Sequence, residues 1–356
     1  MYANTGQGHS DRGSRVNAHR KGPTAADVAR AAQVSTATVS RAFNNPEKVA
    51  ADVRDRVLRV AKQLGWFPHP AGAALASRRS WLIGAVIPTL DNDVFARQVA
   101  ALQARAMQEG MTVLIGSFNY DPEQSLAHVR TMLARGVEAL AIVGESHPPE
   151  LFQMIEARGI PYVLTYGWRP DIAHPAIGFD NACAYARITR HLLDLGHERF
   201  GVIHQPLHNN ERVGQRLLGI RQALAERGLG LRPRHVVEGP ARLEFGAAGL
   251  ERILAAEGPV PTAIICGNDA LAIGALHAAR ARGLNVPRDL SITGFDDSEI
   301  AAWTEPPLTT YAVDYAAIGQ RAAEYLLARL EGRAADVLGA VGGGLVVRTS
   351  TAPPPG

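Results

Sequence analysis

Cysteine is nearly missing from the 356-residue sequence: there are two, Cys183 and Cys266, far apart and each inside an apolar segment. That leaves no material for a disulfide framework or a cysteine metal cluster, and both read as small buried side chains. No stretch reaches the roughly 18 uninterrupted apolar residues of a membrane span, and the opening MYANTGQGHSDRGSR has no apolar signal-peptide core. A cytoplasmic location without a membrane partner is the expectation. Also missing are a GxGxxG after the first strand, a P-loop, an HExxH and a GxSxG, so nucleotide-dependent and hydrolytic chemistry lack their usual parts. His204 and His208 stand four apart, but Pro206 between them forbids the regular helix that would aim both at one metal. Neither an enzyme nor a cofactor or metal site is expected.

What is present is size and an uneven charge. At 356 residues and 46% hydrophobic, the chain exceeds one typical domain and has material for two or three units. The net charge of +3 divides sharply: residues 1 to 80 hold 13 Lys and Arg against 5 Asp and Glu, residues 81 to 356 hold 24 against 29. A basic end on a larger acidic body is the footprint of a chain that touches phosphate at one end; a solvated basic tail would show the same balance.

Residues 1 to 20 are rich in Gly, Ser, Asn and Arg without hydrophobic periodicity and read as a disordered arm. Thr24, with Asp27 three residues on, begins a helix to Ala31 by a capping-box-like pattern. Ser35 then caps a second helix, in which Val39 and Phe43 lie four apart, and Pro46 closes the segment. Two short helices joined by a tight turn make a helix-turn-helix. A third helix follows, with Val53, Val57, Val60 and Leu64 on one stripe and basic residues around it.

The words inside this pattern are more specific than its geometry. DVARAAQVSTATVSRAFN resembles the DNA-reading head of the lac-repressor/galactose-repressor family, whose second helix starts at a VS pair and carries TVSR. The resemblance implies that this helix enters the major groove of double-stranded DNA. Thr36, Ala37 and Arg41 then read bases, while Thr24, Ser35, Thr38 and Ser40 stand near the DNA backbone. An arginine fork donates to guanine O6 and N7, whereas Ala37 offers only apolar contact. Gln33 departs from the family, which usually places Gly in the turn for its tolerance of positive φ. FPHPAGAALASRRS is similar to the family's hinge, and Leu75 matches the residue that wedges into the minor groove at the operator's centre. His69 and Ala73 stand where the family often has Asn and Arg, with Arg78 and Arg79 as substitutes for those contacts.

From Trp81 onward short apolar runs alternate with amphipathic stretches, which predicts βα units around parallel sheets. Eight runs read as strands: LIGAVIP, TVLIGS, ALAIV, YVLTY, RFGVIH, HVVEG, AIICGND and LSITGFDD. LVVRTST reads as a last strand and APPPG as a tail. GHERFGVI, IICGNDALAIGAL, GLNVPRDLSITGFDD and PPLTTYAVDYAAIGQRAAEYLLARL resemble the same family's two-lobed, periplasmic-binding-protein-like effector core. The implied organisation is α/β after a small all-α head. It comprises an arm at 1–20, the head at 21–67, a hinge at 68–80, a core at 81–350 and a tail at 351–356. Within the core, lobe 1 covers about 81–178 and 312–340, and lobe 2 about 179–311.

By the same resemblance a small-molecule effector sits between the lobes, with Asp296 and Arg216 as central polar groups and Asn268 or Asp269 nearby. A carboxylate accepts from adjacent hydroxyls and an arginine fork donates to a carboxylate or ring oxygen, so a sugar or sugar acid is the favoured class. Phe95, Tyr166 and Trp168 follow strand ends and suit apolar walls. PTLDNDVFA, the first cleft loop, is similar to regulators of gluconate-type sugar acids. One recognition helix covers a half-site, so a homodimer on a pseudopalindromic operator, acting as a repressor, is expected. Two alternatives stay open: a ligand-binding protein without DNA function, and a DNA binder indifferent to ligands.

Overall fold

The computed structural model describes residues 22–67 and 79–355. They fall into two compact units divided between Ser80 and Trp81. Leu75, His69, Ala73, Arg78 and most of the expected hinge lie outside the described residues.

The smaller unit has three helices: α1 (Ala25–Ala31), α2 (Thr36–Asn44) and α3 (Ala51–Leu64). Thr24 and Asp27 form the full capping box on α1, and Ser35 caps α2 by accepting from Thr38 N at 3.1 Å. Val28, Ala29, Ala32, Val39, Ala42, Val57 and Ala61 make the core, with Phe43 edge-on to Trp66 at 5.4 Å. Leu64, expected on the α3 stripe, is exposed, and Ala61 closes the core in its place. It sits where α3 is already ending at Gly65, whose φ of +66° turns the chain away.

Gln33 occupies the left-handed region with φ of +54°. The turn therefore keeps the conformation that suits glycine, at a cost to an L side chain of about 1–2 kcal/mol. Gln33→Gly is expected to stabilise this unit by about 0.5–1 kcal/mol, after the greater freedom of glycine in the unfolded chain is subtracted. Calorimetry of the full chain reads the change in the transition that is lost when residues 1–80 are removed. A lower melting temperature would instead show that the Gln33 side chain supports the turn.

In the larger unit, all eight runs read as parallel strands form parallel strands, in two sheets. The first sheet is built on β1 (Leu82–Ile87), β2 (Thr112–Ser117), β3 (Ala139–Val143), β4 (Tyr162–Gly167) and β5 (Ala176–Phe179). The second holds β6 (Phe200–His204), β7 (Val236–Glu238), β8 (Ala263–Cys266) and β9 (Ser291–Thr293) in the order β7-β6-β8-β9. Helices α4 (Asp93–Gln108), α5 (Pro122–Ala134) and α6 (Pro149–Ala157) belong to the first set of βα units. Helices α7 (Asn181–Asp194), α8 (Glu211–Ala225), α9 (Leu243–Ala255) and α10 (Asp269–Ala281) belong to the second.

The chain then runs back through β10 (Thr310–Val313) into α11 (Tyr315–Leu330), which packs on α4 beside the first sheet. A short β11 (Gly339–Ala340) adds to the edge of that sheet beside β5, and β12 (Gly343–Val346) pairs antiparallel with β10. The expected last strand is shorter than read: it ends at Val346, and Ser350 and Ala352 hydrogen-bond to Ile292 and Ser291 at β9. Two glycines set the closeness of the helix pairs. A Cβ on Gly319 of α11 would sit 2.0 Å from the Gln98 carbonyl of α4, and one on Gly219 of α8 would sit 2.0 Å from the Ala182 carbonyl of α7. Cys266 is buried in β8, but Cys183 is exposed, on the outward face of the first turn of α7. Its neighbourhood is apolar because the adjacent helical positions face the core.

Candidate functional site

In the smaller unit, the exposed face of α2 carries Thr36, Ala37, Ser40 and Arg41. Ser35 and Thr38 are joined to one another by their hydroxyls at 2.9 Å, and Ser40 accepts from Asn44 at 3.2 Å. These bonds hold the first turn and the outer face of the helix in place while Arg41 projects from it. Thr24 sits at the start of α1, its own N–H and hydroxyl donating to Asp27.

The second site lies between the two sheets of the larger unit, at the carboxyl ends of the strands, where open α/β sheets bind ligands. Asn92 caps α4 through Val94 N at 3.3 Å, and Phe95 follows inside the first turn, buried against Tyr166 at 4.9 Å. Tyr166, next to last in β4, has φ of +80° and stacks on Tyr315 at 5.0 Å. Arg212 and Arg216 are one turn apart on α8, so both face inward, and both are buried. Asp296 follows β9 with φ of +108° and accepts from the Tyr315 hydroxyl. Left-handed conformations at Tyr166, Asp296 and Asp297 concentrate backbone strain at this one place.

Phe95, Tyr166, Arg216 and Asp296 thus meet in one inner pocket, together with Asn92, Tyr120, Gln205, Asn210, Arg212 and Val213. Its volume is about 30 Å³, and it shares Asn92, Tyr120, Gln205 and Asn210 with an outer cavity of about 580 Å³. The inner pocket is too small for a sugar-sized molecule, which meets Arg212, Arg216 and Asp296 together only if the lobes shift. A second outer cavity, of about 470 Å³, is lined by Asn268 and Asp296 among others. Asn268 itself caps α10 through Leu271 N at 3.0 Å. Asp269 is structural, accepting from Ser298 N at 2.7 Å and the Thr310 hydroxyl at 2.6 Å to fix the loop that carries Asp296.

Trp168 is not brought to this pocket. It lines a separate one with Glu145, Arg169, Asp180 and Glu211, reached from the other side of Arg212. The positive φ of Tyr166 breaks the strand alternation that would have placed residues 166 and 168 on one face. Arg212, Tyr120, Tyr315, Asn92, Gln205 and Asn210 are not among the residues that the sequence alone singles out. For Arg212 the signal was there, since it precedes Arg216 by one helical turn; Tyr120 and Tyr315 are distant in sequence and only the fold brings them in.

Arg216 is held on three sides: it donates to Asn181 Oδ1 at 2.8 Å and Gly267 O at 2.9 Å, with its guanidinium 4.6 Å from the Phe295 ring centre. Burial pushes the Asp296 carboxyl up to about 7, opposed mainly by the Arg216 charge. The folded protein therefore keeps a proton on Asp296 that the unfolded chain, at its ordinary 3.8, gives up. The resulting penalty is absent below pH 4, grows between pH 4 and 7, and is complete above 7 at about 4 kcal/mol or less. Ligand-free Asp296→Asn is expected to match wild type in stability near pH 4 and to exceed it increasingly toward pH 8. Denaturant titrations across that range check it, and a pH-independent difference would contradict the assignment.

Residues 24–69 match the family described as bacterial regulatory proteins, lacI family, and residues 189–351 match a periplasmic binding protein-like domain. Over 311 residues the chain is 32% identical to the HTH-type transcriptional repressor CytR of Escherichia coli strain K12, covering 87% of this chain and 90% of that one. The chain belongs to the LacI family. Its fold agrees: the lac repressor dimer bound to operator and the anti-inducer ONPF superposes with a TM-score of 0.80 at 30% identity, covering 93% of this chain and 100% of that one. Transcription regulator GntR from Chromobacterium violaceum gives a TM-score of 0.72 at 34% identity, covering 76% and 99%. As a LacI-family protein the chain is a DNA-binding, effector-responsive transcription regulator and not an enzyme. Among the described residues no helix is long and apolar enough to cross a membrane.

Proposed function

We propose that this LacI-family protein is a cytoplasmic repressor that binds a pseudopalindromic operator as a homodimer and releases or tightens it when a sugar or sugar acid enters the cleft. The observation that carries the effector class is the convergence of buried Arg216 and Asp296 in one pocket walled by Phe95 and Tyr166. Carboxylate, guanidinium and ring faces together suit a molecule with hydroxyls on one edge and apolar C–H faces. For the DNA side, Thr36, Ala37 and Arg41 on the exposed face of α2 are the base readers, with Thr24, Ser35, Thr38 and Ser40 toward phosphates. The similar lac repressor structure is titled as a dimer on its operator, which supports the same assembly here.

Ligand and operator are then coupled reciprocally, because differential affinity for two lobe arrangements is the energy available to move the heads. Operator titrations with and without a bound effector test this. Equal operator affinity in both would leave a DNA binder indifferent to ligand. Leu75 is assigned the minor-groove wedge. Leu75→Ala is expected to reduce operator bending and specific affinity together while effector affinity stays the same, and unchanged bending in a fluorescence assay would make the segment a plain linker.

A further inference from the structure

Arg212 is a charged group in the cleft that the protein leaves incompletely satisfied. Its side chain is 6% exposed, its Nε donates to Asn210 Oδ1 at 3.2 Å, and its guanidinium lies 5.6 Å from the ring centre of Tyr166 and 6.0 Å from that of Tyr120. Its Nη1 is buried without a hydrogen-bond partner among the described residues. A permanently charged donor held this way, out of water, is unusual unless something else completes it.

The neighbouring Glu211 does not complete it. Its oxygens accept from Glu145 N at 3.0 Å, Ser146 N at 3.3 Å and the Ser146 hydroxyl at 2.6 Å; at 3.7 Å from Arg212 Nε it forms an ion pair that offsets part of the charge but is too long for a hydrogen bond, and Nη1 stays unbonded. Arg216 has its own partners in Asn181 and Gly267. The charged residues lining the inner pocket are therefore two guanidiniums and one carboxylate, Asp296. On the opposite side of the ledger of polar groups, Gln205 Oε1 is also buried without a partner among the described residues, and it is an acceptor.

Resting on the cleft reading above, we infer that the effector is a polyhydroxy carboxylic acid rather than a neutral sugar, with its carboxylate on Arg212 and its hydroxyls on Asp296 and Gln205. A guanidinium flanked by two aromatic rings presents its donors in one plane, which fits the planar two-oxygen carboxylate; a tetrahedral phosphate ester offers the same charge with a poorer shape match. Arg212 is thus the residue that selects acid over neutral sugar. Asp296 serves both.

The experiment uses the full chain and matched probes: gluconate against glucose, galactonate against galactose, glucuronate against glucose, and glucose 6-phosphate as the phosphate ester. Thermal shift finds binders and calorimetric titration measures them. At least one acid is expected to stabilise wild type, with its neutral partner at least tenfold weaker. Arg212→Gln should weaken that acid about 10- to 100-fold and collapse the acid-to-neutral ratio, and Arg212→Lys should restore part of it. Asp296→Asn should weaken acid and neutral ligand together and leave their ratio standing.

Four results overturn the inference: no acid binding to wild type, a neutral sugar binding as tightly as its acid, preference for the phosphate ester, or an Arg212→Gln protein that keeps the full ratio. Melting temperatures of the ligand-free variants show whether each is folded, and the Arg212→Lys ratio decides the matter if Arg212→Gln is not. A response that Asp296→Asn leaves untouched would instead remove the cleft reading itself, so the two failures are distinguishable.

Discussion

Asp296→Asn is expected to weaken effector binding by about 1.5–3 kcal/mol while operator affinity without ligand stays the same. The substitution keeps the volume, removes the charge and turns one acceptor oxygen into a donor, at a buried position where water does not make up the loss. One oxygen remains to accept from the Tyr315 hydroxyl, so the loop keeps its anchor. The folded state is expected to gain rather than lose stability at neutral pH, because the carboxyl that burial pushes up to about 7 is no longer there to ionise. A weakened response therefore reports lost ligand contacts and not a damaged core. In cells the variant behaves as a regulator fixed in its ligand-free state: permanently repressing if the ligand is an inducer, permanently released if it is a corepressor. Operator titrations of wild type and variant, each with and without effector, decide it, and an undiminished ligand response in the variant would disprove the cleft assignment while leaving the family intact.

Arg41→Ala is expected to cost about 1–3 kcal/mol of affinity for the true operator and almost nothing on random DNA. The side chain is exposed on α2 and takes no part in the capping bonds made by Ser35 and Thr38, so its loss leaves the helix standing. A bidentate guanine contact discriminates between bases, whereas a phosphate contact weakens every sequence alike and lowers the salt dependence by about one ion. Filter-binding or fluorescence titrations on operator and scrambled DNA separate the two. Equal losses on both would make Arg41 a phosphate contact. Removal of residues 1 to 20, part of the stretch that carries 13 Lys and Arg against 5 Asp and Glu in residues 1 to 80, is expected to weaken both DNAs together.

The amino-acid sequence by itself determined the helices of the head and the parallel strands of the core, because both are written in local patterns. Thr24 with Asp27, and Ser35 with Thr38, are caps whose partners lie three residues away, and buried parallel strands show as unbroken apolar runs. β5, four residues long and directly after Pro175, and β10, also four residues long, were not among the runs that read as strands. Arg216 and Asp296 were legible as motif residues, whereas what they share a pocket with was not. Tyr315 reaches Asp296 because α11 returns to pack beside α4, and Tyr120 reaches Arg212 because two lobes close on one another. The same distinction explains Trp168, which its place after a strand end assigned to the cleft and which instead lines a separate pocket beyond the positive φ at Tyr166. Cys183 was misplaced for a related reason: an apolar segment that folds as a helix still has an outward face. Local spacing decides which element forms, since capping and periodicity act within a few residues. Only tertiary structure decides which buried donor, here Arg212 Nη1, is left without a partner, because that depends on every chain segment that does or does not arrive beside it.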